Sequence, residues 1–129
     1  MSIFYLICYN LSGDIMISCG IDLVKVDRFS NLKNDKNFMN KAFNEKEIEY
    51  IEFRNNNEST IAGLFAAKEA FLKALKKGID YCPLKDIEIS HDHNNAPFII
   101  FNNNLDIKNI SLSISHDGNY AVAIVSMII

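Results

Sequence analysis

The sequence lacks tryptophan, has only two prolines and five glycines, and contains no apolar run long enough to cross a membrane. The apolar stretch at residues 3–11 is short, and no lysine or arginine precedes it, so it does not resemble a signal peptide. No linker-like segment interrupts the chain. These absences argue against a membrane protein and against several domains joined by linkers.

The chain also lacks an excess of basic residues and a regular set of cysteines. Thirteen lysines and arginines face sixteen aspartates and glutamates, which gives a net charge of −3 and argues against a general nucleic-acid binder. The three cysteines are an odd number without metal-ligand spacing. They indicate a reducing compartment and no disulfide framework, so we expect a cytoplasmic protein.

A length of 129 residues, with 49% hydrophobic and 22% charged, is typical of one ordinary globular domain. We expect residues 16–129 to form that domain, because Met16 stands just before the first strand-like run. Residues 1–15 are expected to be an accessory extension. An upstream start codon and an extra edge strand are the alternatives.

Short strands and helices predict an α+β fold. Residues 17–26 alternate as a strand, with Ile17, Cys19, Ile21 and Leu23 on one face and Gly20, Asp22, Val24 and Val26 on the other. We expect Asp27 to cap a short helix from Arg28, and Asn44 with Glu47 to cap a helix to about Phe53. Later strands are expected at 87–89, 98–101, 112–115 and 120–127, the last two joined at Asp117-Gly118. Without βαβ alternation, these elements predict a small antiparallel sheet packed with a long central helix and shorter helices.

The central helix is predicted over 60–77, capped by Ser59 and ended by Gly78. One face is a broad apolar stripe, and the third face carries Glu69, Lys73 and Lys76. Between them lies a stripe of small residues that lets another element approach closely: Gly63, Ala67, Ala70 and Ala74. Lys68 projects into the middle of the apolar stripe.

Asp22 and Glu69 are the first candidate site residues, because a carboxylate in an apolar strand or at the border of a buried helix is costly unless it is paired or metal-bound. Two carboxylates from separate elements suit Mg²⁺. The alternative is structural: Glu69 pairs with Lys73 at i,i+4, and Asp22 finds Lys25 or a backbone donor.

Lys68 and the histidines have two interpretations each. Lys68 either extends its amino group to water or contacts a phosphate. His116 ends a strand beside a tight turn, where it is either a site residue or incidental. His91 and His93 are a poor metal pair, because the segment runs into a loop with Asn94 and Asn95.

Basic residues concentrate between Lys25 and Lys41, a segment whose charges sum to +3 and which includes Arg28. On an acidic protein, such a segment is either a docking surface for an acidic partner or a solvated face.

Taken together, these segments resemble a known family. Gly20-Ile21-Asp22-Leu23-Val24, followed by Val26 and Arg28, resembles the N-terminal motif of bacterial holo-acyl-carrier-protein synthases. Phe65-Ala66-Ala67-Lys68-Glu69-Ala70, followed by Lys73-Ala74-Leu75, is similar to the second motif of the phosphopantetheinyl transferase superfamily. Asp86-Ile87-Glu88-Ile89, Ala96-Pro97 and Ser113-Ile114-Ser115-His116 follow in the family's order, so the similarity spans about residues 17–125.

The resemblance implies transfer of 4′-phosphopantetheine from coenzyme A to a serine of apo-acyl carrier protein, a step of fatty acid biosynthesis. It implies that Asp22 and Glu69 hold Mg²⁺ and, with Lys68, act in catalysis. Four residues would contact the phosphates or nucleotide of coenzyme A: Lys68, Lys73, Pro97 and His116. It further implies that Arg28 and its basic neighbours dock the acidic carrier protein, and that the protein is a homotrimer with active sites between subunits.

The chain departs from the family at two places near the expected nucleotide. The family usually has arginine at the position of Leu64, and Gly-Thr-Gly where this chain has Lys76-Lys77-Gly78. Lys76 or Lys77 is a candidate replacement for the missing cation, although lysine does not reproduce the bidentate phosphate recognition of arginine. A non-catalytic relative that binds a nucleotide or carrier protein is therefore the alternative function, and a small metal-dependent phosphohydrolase is a third.

Overall fold

The structure is a computed structural model that describes residues 16–101, 107 and 109–128, so the prediction about residues 1–15 falls outside the described residues. The strands are β1 (Ile17–Lys25), β2 (Glu88–His91), β3 (Pro97–Ile100), β4 (Asn109–Asp117) and β5 (Tyr120–Ile128). The helices are α1 (Phe29–Leu32), α2 (Lys36–Ala42), α3 (Glu45–Phe53) and α4 (Glu58–Ala74), with 3₁₀ turns at Val26–Arg28 and Leu84–Asp86. This confirms the predicted α+β class. Among the described helices, none has both the length and the apolar character that a bilayer crossing requires.

The main sheet has three antiparallel strands in the order β1-β5-β4, and β2 and β3 form a separate antiparallel pair. Asp22 of β1 lies opposite Ala123 of β5, and His116 of β4 lies opposite Ala121. Strands alternate their side chains between faces, so the paired positions of Asp22 and His116 belong to the same face of the sheet. That face is covered by α4, which packs against all three strands.

The alternation of side chains between the two faces of β1 was predicted correctly. The face with more apolar side chains is the exposed one. Gly20, Asp22 and Val24 are buried, whereas Ile21 and Leu23 are exposed. The reason is that α4 covers the face with the small glycine, since a helix backbone can approach closely there.

The small-residue stripe of α4 packs on the sheet, as its composition predicted. A Cβ atom built on Gly20 would lie 1.9 Å from the carbonyl oxygen of Ala70 and 2.5 Å from the amide nitrogen of Ala74. At the other end of the helix, a Cβ on Gly63 would lie 3.0 Å from His116 Nε2. The helix therefore crosses the sheet obliquely, with its N-terminal half over β4 and its C-terminal half over β1.

The opposite, larger face of α4 closes the main hydrophobic core. Phe29 and Phe65 meet edge to face with their ring centroids 5.4 Å apart, and Phe71 packs on Phe101 at 4.8 Å. Phe43 and Ile51, from the segment around α3, are also almost fully buried. Because both faces of α4 are covered, small shifts of this helix are opposed from two sides.

Several predicted boundaries are wrong by a few residues. The cap of α4 is Asn57, whose side chain accepts from the amides of Ser59 and Thr60, and not Ser59 itself. The helix ends at Ala74, because Lys76 takes a left-handed conformation with φ of 60° and closes the last turn before Gly78. Asp27 makes no side-chain cap, because a 3₁₀ turn precedes α1. The final hairpin turns at Gly118-Asn119, with Gly118 at φ of 56°.

Candidate active site

The close packing of α4 on β1 brings Asp22 and Glu69 together. Asp22 is 7% exposed, and its Oδ1 accepts from Lys73 Nζ at 3.0 Å. The same ammonium group donates to the carbonyl oxygen of Ile21 at 3.0 Å. The structural alternative therefore named the wrong partners: Lys73 pairs with Asp22 across the helix–strand interface, and Lys25 does not.

The two carboxylates repel each other at this interface. Burial raises the pKa of Glu69 above its usual value of 4.5, and Asp22 raises it further, through its negative charge and through a hydrogen bond with the protonated Glu69 carboxyl group. The positive charges of Arg28 and Lys73 oppose this shift without cancelling it. The second carboxylate oxygen of Asp22, Oδ2, is buried, and when both carboxyl groups are ionised it has no hydrogen-bond donor in the described part of the chain.

A buried carboxylate oxygen without a partner, next to a second carboxylate, is a suitable environment for a divalent cation. Mg²⁺ is usually bound by one or two protein carboxylates, with water and substrate phosphates completing its octahedron. Within residues 16–101, 107 and 109–128, no group of three or more histidine, cysteine, aspartate or glutamate side chains could hold a metal. The Asp22–Glu69 pair thus fits a site that a phosphate ligand completes, and not a site closed by protein ligands alone.

A cavity of about 300 Å³ opens beside this pair. Its walls are Glu69, Leu72, Lys73, Lys77, Gly78 and Ile79. Two lysines, Lys73 and Lys77, and one glutamate, Glu69, line this cavity. The positive charge that could attract an anionic ligand therefore lies next to the negative charge of the carboxylate pair. Lys77 lies on this wall, and Lys76 is not among its lining residues.

Lys68 does not belong to this cavity, and both interpretations of it were wrong. Its side chain is fully buried, and Nζ lies 2.6 Å from Glu47 Oε1, whose side chain is also fully buried. A second hydrogen bond at 2.9 Å runs from Nζ to the carbonyl oxygen of Leu84. Lys68 therefore reaches neither water nor a phosphate, and the geometry assigns it a structural role.

Glu47 was missed as the partner of this lysine. The predicted capping box is present, because Asn44 and Glu47 exchange side-chain and backbone hydrogen bonds. Glu47 also accepts from the amide of Ile89 at 2.8 Å. Burial raises the pKa of Glu47 and lowers that of Lys68, and their mutual attraction opposes both shifts. The sequence signal was Lys68 itself, since a lysine inside an apolar stripe requires a buried anion.

Pro97 and His116 lie together in a different cavity of about 200 Å³, on the other side of α4. His116 Nε2 is 2.8 Å from the carbonyl oxygen of Ser59. Leu64, the position where the family usually has arginine, lines the same cavity and is 2% exposed. Sequence reasoning missed Tyr50, Arg54 and His91, which also line this cavity.

Helical geometry places the cavity of His116 and the cavity of Glu69 on different sides of α4. Thr60 lines the cavity with His116, and Glu69 lines the other. Nine residues at about 100° each place these two positions on roughly opposite sides of the helix. The predicted site residues therefore form two separate groups in one chain: Asp22, Glu69 and Lys73, and Pro97 with His116.

Arg28 is exposed at the end of the 3₁₀ turn after β1, with its guanidinium carbon 5.1 Å from the ring centroid of Phe65. Its charge acts on Glu69, so the basic segment begins beside the carboxylate pair. The two histidines have different surroundings: His91 stacks on Tyr50 with ring centroids 4.0 Å apart, and His93 is exposed in the turn after β2.

We predict that Glu69→Gln raises the melting temperature of the metal-free protein at neutral pH, because it removes a charge that repels Asp22. A carboxyl group with a raised pKa in the folded state stabilises the fold below its unfolded pKa, and this contribution is lost as the pH rises through the folded value. The gain of the variant over the wild type should therefore be largest above the folded pKa and disappear on acidification below about pH 4.5. Thermal unfolding in EDTA across this range measures it, with exposed Glu49→Gln as control. A variant that is less stable than the wild type at neutral pH would contradict the proposed repulsion.

Comparison with known proteins identifies the family of this chain. A family model described as the 4′-phosphopantetheinyl transferase superfamily matches residues 18–125. A holo-[acyl-carrier-protein] synthase of Caldicellulosiruptor saccharolyticus is 47% identical over 116 residues, covering 84% of this chain and 94% of that protein. The synthase of Finegoldia magna is 45% identical over 107 residues, with 83% and 92% covered.

The fold comparison points the same way. The crystal structure of Helicobacter pylori holo-[acyl-carrier-protein] synthase in complex with coenzyme A superposes with a TM-score of 0.77 at 35% identity, covering 87% of this chain and 99% of that one. The residues that the family model matches include α4, β3, β4 and all but the first residue of β1, the elements that carry both groups of candidate residues. The chain therefore belongs to the 4′-phosphopantetheinyl transferase superfamily.

Proposed function

We propose that this protein is a Mg²⁺-dependent holo-acyl-carrier-protein synthase, which transfers 4′-phosphopantetheine from coenzyme A to a serine of apo-acyl carrier protein. The observation that carries the proposal is the Asp22–Glu69 pair, with one buried carboxylate oxygen unpartnered and Lys73 beside it. The names of the relatives and the coenzyme A bound to the Helicobacter pylori protein support it. A cytoplasmic role in fatty acid biosynthesis is part of the same proposal.

The reaction forms one phosphorus–oxygen bond and breaks another. The serine hydroxyl attacks the phosphorus that bears pantetheine, the hydroxyl proton is released, and adenosine 3′,5′-bisphosphate leaves with the bridging oxygen. Positioning and charge neutralisation provide most of the catalysis in such phosphoryl transfers. Mg²⁺, when held by Asp22 and Glu69, would neutralise the diphosphate.

Lys73 contributes in two ways. Its ammonium group fixes Asp22 Oδ1, so that Oδ2 remains the free oxygen of this carboxylate. The Lys73 side chain is 56% exposed and lines the cavity beside Glu69, so its ammonium group would be available to a diphosphate oxygen in that cavity. Lys68 is excluded from these steps by its burial against Glu47.

Arg28 and the basic segment suit the recognition of the acidic carrier protein. Arg28 is exposed and lies close enough to Glu69 for its charge to act on that carboxyl group. Lys33 is partly engaged by Glu58 at 3.0 Å, whereas Lys36 and Lys41 are exposed on α2. A carrier protein that docks here would present its serine to the carboxylate pair.

We also propose that the active protein is a homotrimer with active sites between subunits. The outer face of β1 and β5 exposes a continuous set of apolar side chains: Ile17, Ile21, Leu23, Tyr120 and Ile124, each at least 44% exposed. A sheet face of this kind is typical of a surface that another protein covers. The two groups of site residues lie on opposite sides of α4 within one copy. Association of copies could therefore place the cavity of Pro97 and His116 of one copy next to the Asp22–Glu69 pair of another.

Transfer is tested by intact-mass spectrometry of an apo-acyl carrier protein incubated with coenzyme A and Mg²⁺. We expect the carrier to gain one phosphopantetheine, with no gain in EDTA. Asp22→Asn and Glu69→Gln should reduce the rate by at least about a hundredfold, because the cation would lose one of two protein ligands. Glu49→Gln, an exposed carboxylate on α3, should transfer normally. Release of adenosine 3′,5′-bisphosphate without carrier protein would favour a phosphohydrolase, and a folded protein without turnover would favour the non-catalytic relative.

Assembly is tested separately by sedimentation velocity. Leu23→Arg places a charge in the middle of the exposed apolar face, where the side chain is 63% exposed in a single copy. We expect the wild type to sediment as a trimer and the variant as a smaller species with unchanged helical content. Lys46→Arg, on exposed α3, is the control. A wild-type monomer at concentrations that support transfer would refute the trimer.

A further inference from the structure

The segment that follows α4 forms part of the wall of the Glu69 cavity. Three of its residues, Lys77, Gly78 and Ile79, line that cavity. Residues 79–85 then line a larger cavity of about 550 Å³ against α2. The position of this segment therefore determines the shape of the cavity beside the carboxylate pair.

The segment is joined to the rest of the protein by few hydrogen bonds. At its start, the amide of Lys77 donates to a carbonyl oxygen in the last turn of α4 at 2.9 Å. Among the described residues, one hydrogen bond joins residues 78–85 to a helix or a strand: Lys68 Nζ donates to the carbonyl oxygen of Leu84 at 2.9 Å. Partly buried apolar side chains of the segment also pack against the core, but such contacts are not directional. The lysine therefore fixes where the segment returns to α4.

The ammonium group of Lys68 is itself held firmly. Glu47 accepts from it at 2.6 Å, and also accepts from the amides of Asn44 and Ile89 at 2.9 and 2.8 Å. Nζ lies 5.1 Å from the ring centroid of Phe43, so a carboxylate, a carbonyl oxygen and an aromatic face surround its three protons. A fully buried ammonium group with three fixed neighbours has little freedom. The carbonyl oxygen to which it donates is therefore held at a defined distance from α4.

Tyr81 connects this anchor to the cavity wall. It lies three residues before Leu84, and Pro83 restricts the backbone between them. The amide of Tyr81 donates to the carbonyl oxygen of Gly78 at 3.1 Å, and its ring centroid is 5.4 Å from Lys77 Nζ. A shift at Leu84 would therefore be passed to two residues that line the cavity, Lys77 and Gly78.

We propose that Lys68 and Glu47 are positioning residues for the donor substrate: their buried ion pair holds the segment after α4, and that segment forms one wall of the Glu69 cavity. This rests on the proposed function, which assigns the diphosphate of coenzyme A to that cavity. Neither residue touches the ligand, because both side chains are fully buried. Their effect is therefore on the affinity for the donor, and not on the chemical step.

The test removes the ion pair without leaving a buried charge. In Lys68→Met/Glu47→Gln, methionine has no hydrogen-bond donor for Leu84, and glutamine keeps an acceptor for the backbone amides and suits the capping position. We expect KM for coenzyme A to rise about fivefold or more, with kcat within about twofold of the wild type, because binding is lost and the reacting groups are unchanged. Lys46→Met/Glu49→Gln makes the same two changes at exposed positions of α3 and should behave as the wild type.

Hydrogen exchange measured by mass spectrometry separates this role from a general loss of stability. In the Lys68→Met/Glu47→Gln protein, the peptide with residues 77–83 should exchange about fivefold faster than in the wild type, and peptides of β1 and β5 should change less. An equal increase in all peptides, or a lower kcat with an unchanged KM, would show a merely structural role and overturn the inference. So would an unchanged KM, whatever the exchange.

If this double variant does not fold, Tyr81→Leu decides the inference. Tyr81 is only partly buried, and the change removes the ring beside Lys77 without touching the ion pair. We expect KM for coenzyme A to rise about twofold to fivefold with kcat unchanged. A wild-type KM in this variant would show that the segment does not set the cavity wall.

If the wild type transfers nothing, the proposed function fails, and calorimetric titration with coenzyme A and Mg²⁺ still decides the inference. The Lys68→Met/Glu47→Gln protein should then bind coenzyme A about fivefold more weakly than the wild type. Equal affinities, or no binding by the wild type, would refute the inference.

Discussion

The site depends on the close contact between β1 and α4 at Gly20. The strand passes so near the helix that even a methyl group would meet the backbone of Ala70 and Ala74. Asp22 lies two residues further along the same strand face, and Glu69 lies on the helix turn beside Ala70. Two carboxylates that repel each other are held together because helix packing, and not their own attraction, fixes the distance. A divalent cation bound by both carboxylates would relieve that repulsion. The packing of β1 on α4 therefore creates a concentration of negative charge that a cation can neutralise.

Lys68 and Glu69, neighbours on α4, show how the same helix uses charge in opposite ways. Lys68 is neutralised inside the protein by Glu47, which also joins the start of α3 to β2 through the amide of Ile89. Removing one partner of a buried ion pair costs about 3–5 kcal/mol, so this pair fixes the rotation of α4 about its axis. Glu69, about 100° around the helix, then points towards Asp22.

Much of the fold could be predicted from the sequence, because hydrophobic alternation and capping are local. The strand with Asp22, the capping box of Asn44 and Glu47, and the small-residue stripe of α4 were all evident. The partners of charged groups could not be predicted, because Glu47 and Lys68 are 21 residues apart and Asp22 and Lys73 are 51 apart. The cap at Asn57 was missed because Ser59 has equal local merit as a cap. Arg54 was missed because nothing local indicates that the end of α3 meets the cavity of His116.

The most direct measurement is the binding of Mn²⁺, as an analogue of Mg²⁺, to Gly20→Ala in the presence of coenzyme A, followed by electron paramagnetic resonance. The account predicts that the added methyl group forces β1 away from α4, destabilises the fold by about 2–3 kcal/mol and weakens Mn²⁺ binding in the molecules that remain folded. Glu49→Ala, at an exposed position on α3 outside both cavities, should bind as the wild type does. A folded Gly20→Ala protein with wild-type Mn²⁺ affinity would contradict the claim that this contact sets the distance between Asp22 and Glu69.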